Sequence, residues 1–347
     1  MHLLALANAV PPHSFTQAEL WEVARESQAL MRLREGSRGF IERILLGNSG
    51  IRERQLALHD FENLFDRDAE ALNHAFEEAA PKLGNAALRA ALERAGLRPG
   101  ELDALFVCTC TGYLCPGLSS FMAEELGLRG DAFLSDLVGL GCGAAIPTLR
   151  NAAGFAAREP EANIAVVAVE VCSAAFYLDD DPGVLISACL FGDGASASIW
   201  RGREPGAGLR IHNFDTLHLP EDRGLLRFEN AGGKLRNRLH KTVPARAAAA
   251  VGSLREGLNG TTPEAVIAHA GGRDVIDALE ARLAGEPLAP ARRVLAAHGN
   301  MSSPSVLFAL EDYLERLGNG LPGGPLWLTS FGAGFAAHSC LLSPTDA

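Results

Sequence analysis

The sequence predicts an α/β fold in which one strand–helix grammar is used twice. Three observations carry this reading. Short apolar runs, such as Leu105-Phe106-Val107-Cys108 and the stretch 164–169, alternate with segments of helical period. Strands with no polar face belong in a sheet covered by helices on both sides. A helix, a strand, a small-residue loop with proline and a second helix occur in order at 87–126 and again at 277–317. The 347 residues contain no low-complexity linker, so two halves, 1–205 and 206–347, are expected to share one core.

The elements follow in order. Residues 2–8 read as a strand. Thr16 opens a helix to about residue 33, with Glu19 placed to complete a capping box. The stretch 36–54, rich in charge and glycine, reads mostly as loop. Helices are expected at 61–79 and 84–95, a strand at 102–109, a helix at 118–126 and a short strand at 132–136. An alanine-rich helix at 142–158 starts at a cysteine, and an apolar strand follows at 163–170. Residues 189–201 read as a strand region broken by Gly192-Asp193-Gly194. Past a seam near 201–209 come a strand at 208–214, a helix at 244–258, a strand at 265–269 and a helix at 274–284. A strand at 293–298, a helix at 303–317 and strands at 326–331 and 335–342 close the chain.

Charge and composition exclude several functions. The formal net charge of −11 argues against nucleic acid, which needs a clustered basic surface. Only three basic residues are lysine (Lys82, Lys234, Lys241), and the remaining arginines suit a local phosphate-binding patch. The N-terminus lacks a basic leader and meets Pro11-Pro12 early, and no apolar run reaches the ~18 residues of a membrane span. Seven cysteines, an odd number lying mostly in apolar runs, read as reduced thiols of a cytoplasmic protein. Cys108, Cys110 and Cys115 lack a fourth ligand at zinc-finger spacing, so no metal is expected.

Three residues stand out for chemistry. Cys142 sits between Gly141 and Gly143 at a predicted helix start, where the positive end of the helix favours thiolate. His269 ends an apolar strand and precedes Ala270-Gly271-Gly272, at the sheet end where ligands bind. Asn300, in His298-Gly299-Asn300-Met301, can offer an amide to a developing oxyanion without titrating. Each also has an ordinary reading: a packed thiol, a capping histidine, a left-handed turn. A papain-like protease and a decarboxylating Claisen condensing enzyme both use this trio in this order. The protease's short, cysteine-rich framework is missing here.

Longer strings carry a resemblance across nearly the whole chain. They are Pro11-Pro12-His13-Ser14-Phe15-Thr16-Gln17, Gly112-Tyr113-Leu114-Cys115-Pro116-Gly117, Leu190-Phe191-Gly192-Asp193-Gly194, His269-Ala270-Gly271-Gly272, Gly299-Asn300-Met301-Ser302-Ser303 and Phe331-Gly332-Ala333-Gly334-Phe335. In them the sequence resembles the type III polyketide synthases, the chalcone-synthase-like branch of the thiolase superfamily. The resemblance implies a thiolase-like, internally duplicated αβαβα fold of five layers. It implies Cys142 as acyl-accepting nucleophile, with His269 and Asn300 steadying the enolate formed when malonyl-CoA loses CO2. Phe191 matches a gatekeeper aromatic. Cys110, Cys172, Phe228, Asn237, Gly332 and Gly334 match cavity positions, Asn237 replacing a second gatekeeper phenylalanine of the plant enzymes. Cys115, before a proline whose bond is often cis in the family, matches a residue that reaches a partner's cavity in a homodimer. Arg43, Arg52 and Arg54 are the nearest candidates for the CoA pyrophosphate. Acyl-CoA and malonyl-CoA are then substrates and no cofactor is needed. A pyrone, resorcinol or phloroglucinol type of product follows. Two alternatives stay open: a synthase III-like enzyme fed by an acyl carrier protein, and an inactive scaffold.

Overall fold

The computed structural model describes residues 1–60, 63–204, 206–318 and 320–345. The predicted helix start at Phe61 and the seam residue Pro205 lie outside them. The first half contains β1 (His2–Ala9), β2 (Ser14–Thr16), α1 (Gln17–Glu26), α2 (Gln28–Met31), α3 (Glu35–Leu45), β3 (Glu53–Gln55), α4 (Ala69–Ala95), β4 (Ala104–Thr109), α5 (Leu118–Leu126), β5 (Phe133–Val138), α6 (Ala145–Arg158), β6 (Ile164–Glu170), α7 (Pro182–Leu190) and β7 (Gly194–Arg201). The second half contains β8 (Gly208–His218), β9 (Leu226–Ala231), β10 (Lys234–Leu239), α8 (Val243–Glu256), β11 (Ala265–Ala268), α9 (Arg273–Arg282), α10 (Ala289–His298), α11 (Ser305–Leu317), β12 (Leu326–Gly332) and β13 (Ala336–Thr345).

Nine strands form one hydrogen-bonded series, β11-β12-β13-β8-β1-β7-β6-β4-β5. It is mirrored about β1 and β8, which meet at only two residue pairs, His2↔Arg210 and Leu3↔Leu209. Outward from that seam each half runs through two antiparallel pairings and then a parallel one: β1/β7, β7/β6, β6/β4 and β8/β13, β13/β12, β12/β11. This is the predicted duplication. Helices α6 and α11 each touch strands of both halves, while α4 covers the outer face of the first half-sheet and α8 that of the second. The result is five layers. The wholly buried strands β4 and β6 feed both faces: Phe106 and Val166 enter one core, Val107 and Val167 the other.

Several elements differ from the sequence reading. The capping box at Thr16 forms, with Glu19 N donating to Oγ1 at 3.2 Å and Thr16 N donating to the Glu19 carboxylate at 2.8 Å. The helix it opens breaks at Ser27, which is extended and caps a second short helix. The expected loop 36–54 contains α3, because Ile41 and Leu45, four apart, bury one stripe of it. The predicted helices 61–79 and 84–95 are one helix, α4, which starts after the Asp68 cap and runs through Pro81. The region 189–201 is strand only from Gly194; Cys189 and Leu190 finish α7. The expected strand 293–298 is helix α10, whose Ala291, Val294 and Leu295 are buried at helical spacing. Among the described residues the second half therefore has no counterpart of edge strand β5. The β9–β10 hairpin, turning at Gly232 and Gly233 with φ of 60° and 76°, was missed.

Candidate active site

Cys142 does not open the long helix. It sits on a 3₁₀ turn, Gly141–Gly143, just ahead of α6, and Gly141 takes a φ of +57° that a side chain resists. The end of β12 lies directly against this turn. A Cβ at Gly332 would stand 2.2 Å from the Leu140 carbonyl and 2.5 Å from Gly143 N. Gly332 is thus a backbone contact under the cysteine and not a cavity wall. Gly334 faces an outer groove.

His269 follows β11 and anchors its backbone N–H on the Thr329 carbonyl at 3.0 Å. Its ring meets Phe331 edge-to-face at 5.5 Å between centroids. Its Nδ1 has no hydrogen-bond partner among the described residues. Asn300 is held by its backbone, which donates to Leu190 O at 2.9 Å and accepts from Gly192 N at 3.1 Å. Its Oδ1 accepts from Ser302 N at 2.8 Å and its Nδ2 donates to Gly271 O at 3.1 Å. One amide proton is left for a ligand. Gly299 permits this fit, since a Cβ there would lie 2.7 Å from Leu190 O. His298, bonded to Gln55 at 2.7 Å, is a structural neighbour.

The structure adds residues that the sequence reading missed. Ser302, non-glycine at φ +60°, donates its hydroxyl to Cys142 Sγ at 3.2 Å. Its oxygen lies 3.1 Å from Cys110 Sγ, so with the serine proton spent on Cys142 the Cys110 thiol donates to Ser302. Glu170, fully buried at the end of β6, accepts from Thr109 at 3.1 Å, Cys110 N at 2.9 Å, Thr111 at 2.9 Å and Ser303 at 2.5 Å. It ties the loop after β4 to the loop after Asn300, which is how Cys110 and Ser302 meet beside Cys142. The serine-rich string around 302–305 and the buried glutamate ending an apolar strand were the available signals.

Cys142, His269, Asn300, Phe191 and Phe331 line one cavity of about 640 Å³. Arg43, Lys241 and Arg273 also line it, together with Asn48 and Ser49. Arg43 and Lys241 are exposed, whereas Arg273 pairs with Asp274 at 2.8 Å. Phe228 and Asn237, opposite each other on the β9–β10 hairpin, line this cavity and a tight inner pocket shared with Cys110, Cys172, Phe191 and Ser302. Cys115, exposed and preceding a cis proline, lies in the outer groove.

Two of the proposed CoA arginines lie elsewhere. Arg54 is 1% exposed and donates to Gln17 at 3.0 Å, Ala188 O at 2.9 Å and Phe191 O at 2.6 Å. It is an internal brace beneath Phe191. Arg52 lines a separate depression with Arg293 and His298. Arg43 alone reaches the cavity.

Burial sets the protonation of the pair. It pushes the Cys142 thiol up to about 12 despite the Ser302 hydrogen bond, and the His269 imidazole down to about 4. Neither group charges alone. A thiolate at Cys142 therefore needs a proton acceptor and an opposite charge supplied within the cavity.

A thiol, an imidazole and a free amide proton around one cavity of a duplicated α/β fold define an acyl-condensing enzyme of thiolase-like architecture. Family models agree: residues 8–205 match "FAE1/Type III polyketide synthase-like protein" and residues 235–342 match "Chalcone and stilbene synthases, C-terminal domain". The 1,3,6,8-tetrahydroxynaphthalene synthase of Streptomyces peucetius subsp. caesius is 31% identical over 97% of this chain and 92% of its own. The 3,5-dihydroxyphenylacetyl-CoA synthase of Streptomyces toyocaensis is 32% identical over 85% of this chain and 80% of its own. The crystal structure of the Streptomyces coelicolor tetrahydroxynaphthalene synthase superposes with a TM-score of 0.89 at 27% identity, covering all of both chains. That of PKS-I from the brown alga Ectocarpus siliculosus gives 0.90 at 26%, over 99% of this chain and 98% of that one. The chain belongs to the type III polyketide synthases, decarboxylating condensing enzymes of the acyltransferase class.

Proposed function

We propose that this enzyme loads an acyl group from acyl-CoA onto Cys142 and extends it with malonyl-CoA to a short aromatic or pyrone product. The observation that carries the reading is the shared cavity: Cys142, His269 and Asn300 line one wall system that also includes Arg43 and Lys241, cations without an ion-pair partner among the described residues. Cys142 attacks the thioester carbonyl while His269 takes its proton, and CoA leaves as the thiol. His269 and the free proton of Asn300 Nδ2 then stabilise the enolate left as malonyl-CoA loses CO2, and its carbon attacks the acyl carbonyl, forming the C–C bond as the Cys142 thiolate leaves. Phe191 and Phe331 offer the malonyl carboxylate an apolar surface, which favours its departure as neutral CO2. The C–C bond that breaks supplies the electron pair, so the cycle needs no redox cofactor or metal. Arg43 and Lys241 suit the phosphates of CoA, and equally the phosphate of a carrier-bound pantetheine arm.

A homodimer fits the surface. Edge strand β5 leaves Phe133, Leu134 and Val138 exposed, and Tyr113 on the neighbouring loop is 77% exposed. No helix is long and apolar enough to cross a membrane. Work in the cytoplasm, where CoA thioesters are made, suits the free thiols. The test is incubation with a panel of acyl-CoA starters and malonyl-CoA, measuring CO2 and product masses, with peptide mapping of the acylated thiol. Absence of CO2 with every starter, or acyl transfer to a residue other than Cys142, refutes the proposal.

A further inference from the structure

The β9–β10 hairpin places Asn237 where its backbone is held from outside. Strand alternation turns Arg236 and Arg238 away from the cavity face. Arg236 donates to Asp179 at 3.0 Å, and Arg238 pairs with Asp181 and, at 2.7 Å, with Glu229. Helix α7 sits on the Asn237 carbonyl, which would be 2.2 Å from any Cβ at Gly183. The Asn237 side chain is 3% exposed between Phe228 and Phe191, on the wall common to the catalytic cavity and the inner pocket.

Its amide orientation follows from its partner. Ser187 Oγ donates to the Gly183 carbonyl at 2.8 Å, and a carbonyl can only accept. The serine has one proton, so the Asn237 atom 3.0 Å from that oxygen is the donor, Nδ2. Oδ1 is therefore turned from Ser187, and it has no hydrogen-bond partner among the described residues. The cavity it lines also includes the apolar side chains of Ile186, Leu190, Leu226 and Leu239. A buried carbonyl oxygen left unpaired in such a wall needs a donor from elsewhere.

We propose that Asn237 is a specificity-determining residue whose Oδ1 accepts a hydrogen bond from a hydroxyl on the acyl chain. This rests on the function proposed above and deepens it. A ketone or a carboxylate offers only acceptors and is rejected by Oδ1. A hydroxyl donates, and it has two sources: the enol form of a β-keto unit made during extension, or a hydroxyl already on the starter. Holding the enol at this wall keeps a growing chain in place for another round instead of early release.

The test compares the wild type, Asn237→Leu and Ser187→Ala. Each is given malonyl-CoA with a saturated acyl-CoA or with the 3-hydroxyacyl-CoA of equal length, and products are quantified by mass. If the enol is the donor, Asn237→Leu lowers the ratio of multiply extended to once-extended products on the order of tenfold, as expected for one lost hydrogen bond. If the starter supplies the hydroxyl, the kcat/KM preference for the hydroxylated starter falls by a similar factor instead. Ser187→Ala removes the bond that orients the amide but keeps Oδ1, so it shifts the ratio and preference in the same direction by a smaller factor. Asn237→Ala serves the same comparison if the leucine variant does not fold. Unchanged product lengths and starter preference in an active Asn237 variant overturn the assignment. A wild type silent with every starter overturns the proposed function along with it.

Discussion

Removing the Ser302 hydroxyl should slow the chemistry of Cys142. Ser302 Oγ is the hydrogen-bond donor to Cys142 Sγ, at 3.2 Å, and it opposes the burial that raises the thiol to about 12. A hydrogen bond to a charged group contributes about 1.5–3 kcal/mol, which at 1.36 kcal/mol per unit is roughly one to two pKa units. The thiolate population near neutral pH should therefore fall roughly 10- to 100-fold. Ser302 sits at φ +60°, so two variants separate the hydroxyl from the backbone. Ser302→Gly removes the donor and relieves the roughly 1–2 kcal/mol of left-handed strain that serine already carries, whereas Ser302→Ala removes the donor and keeps that strain. The assay is the rate of iodoacetamide labelling of Cys142 near neutral pH, read by peptide mass so that Cys110 is counted separately. Both variants should lose labelling by the stated factor, and the glycine variant should melt no earlier than the alanine variant. Labelling of Ser302→Gly within about twofold of wild type would mean that the bond does nothing for the thiolate, and the reasoning fails.

Further expectations concern the neighbours. Asn300→Ala should lower CO2 release from malonyl-CoA by about 10²–10³, the usual loss for an oxyanion donor, with starter loading onto Cys142 measured separately. His269 is held neutral in the fold at about 4 against an ordinary value of 6.5. It therefore costs stability as pH falls below 6.5, because the unfolded chain binds the proton first, and the cost levels off below about 4. His269→Gln should flatten the fall in melting temperature across that window. Arg54→Met leaves the Ala188 and Phe191 carbonyls without their buried donor and should cost about 3–5 kcal/mol in urea unfolding, with no change in KM for CoA esters of the folded fraction. Charge reversal at Arg43 or Lys241 should raise that KM on the order of tenfold at low ionic strength and less as salt is added.

The sequence by itself determined the class of fold and the chemical trio. Wholly apolar runs can only be strands buried on both faces, and the glycines around Cys142, His269 and Asn300 mark close backbone approaches that few sites need. Local signals were weaker where packing overrides them. Residues 293–298 look like a strand, yet Ala291, Val294 and Leu295 bury as one face of α10. Polar 226–239 lacks any apolar period, yet its hairpin brings Phe228 and Asn237 to the cavity. Arg54 is indistinguishable from Arg43 in sequence, and only the fold sends one under Phe191 and the other to the cavity. The same holds for the Ser302 hydroxyl and the Glu170 carboxylate, whose partners lie 59 to 192 residues away in the chain. Periodicity reports what each segment buries, but hydrogen bonds between distant loops depend on where the two halves meet. That meeting, around the Cys142 turn and the end of β12, is what tertiary structure alone decided.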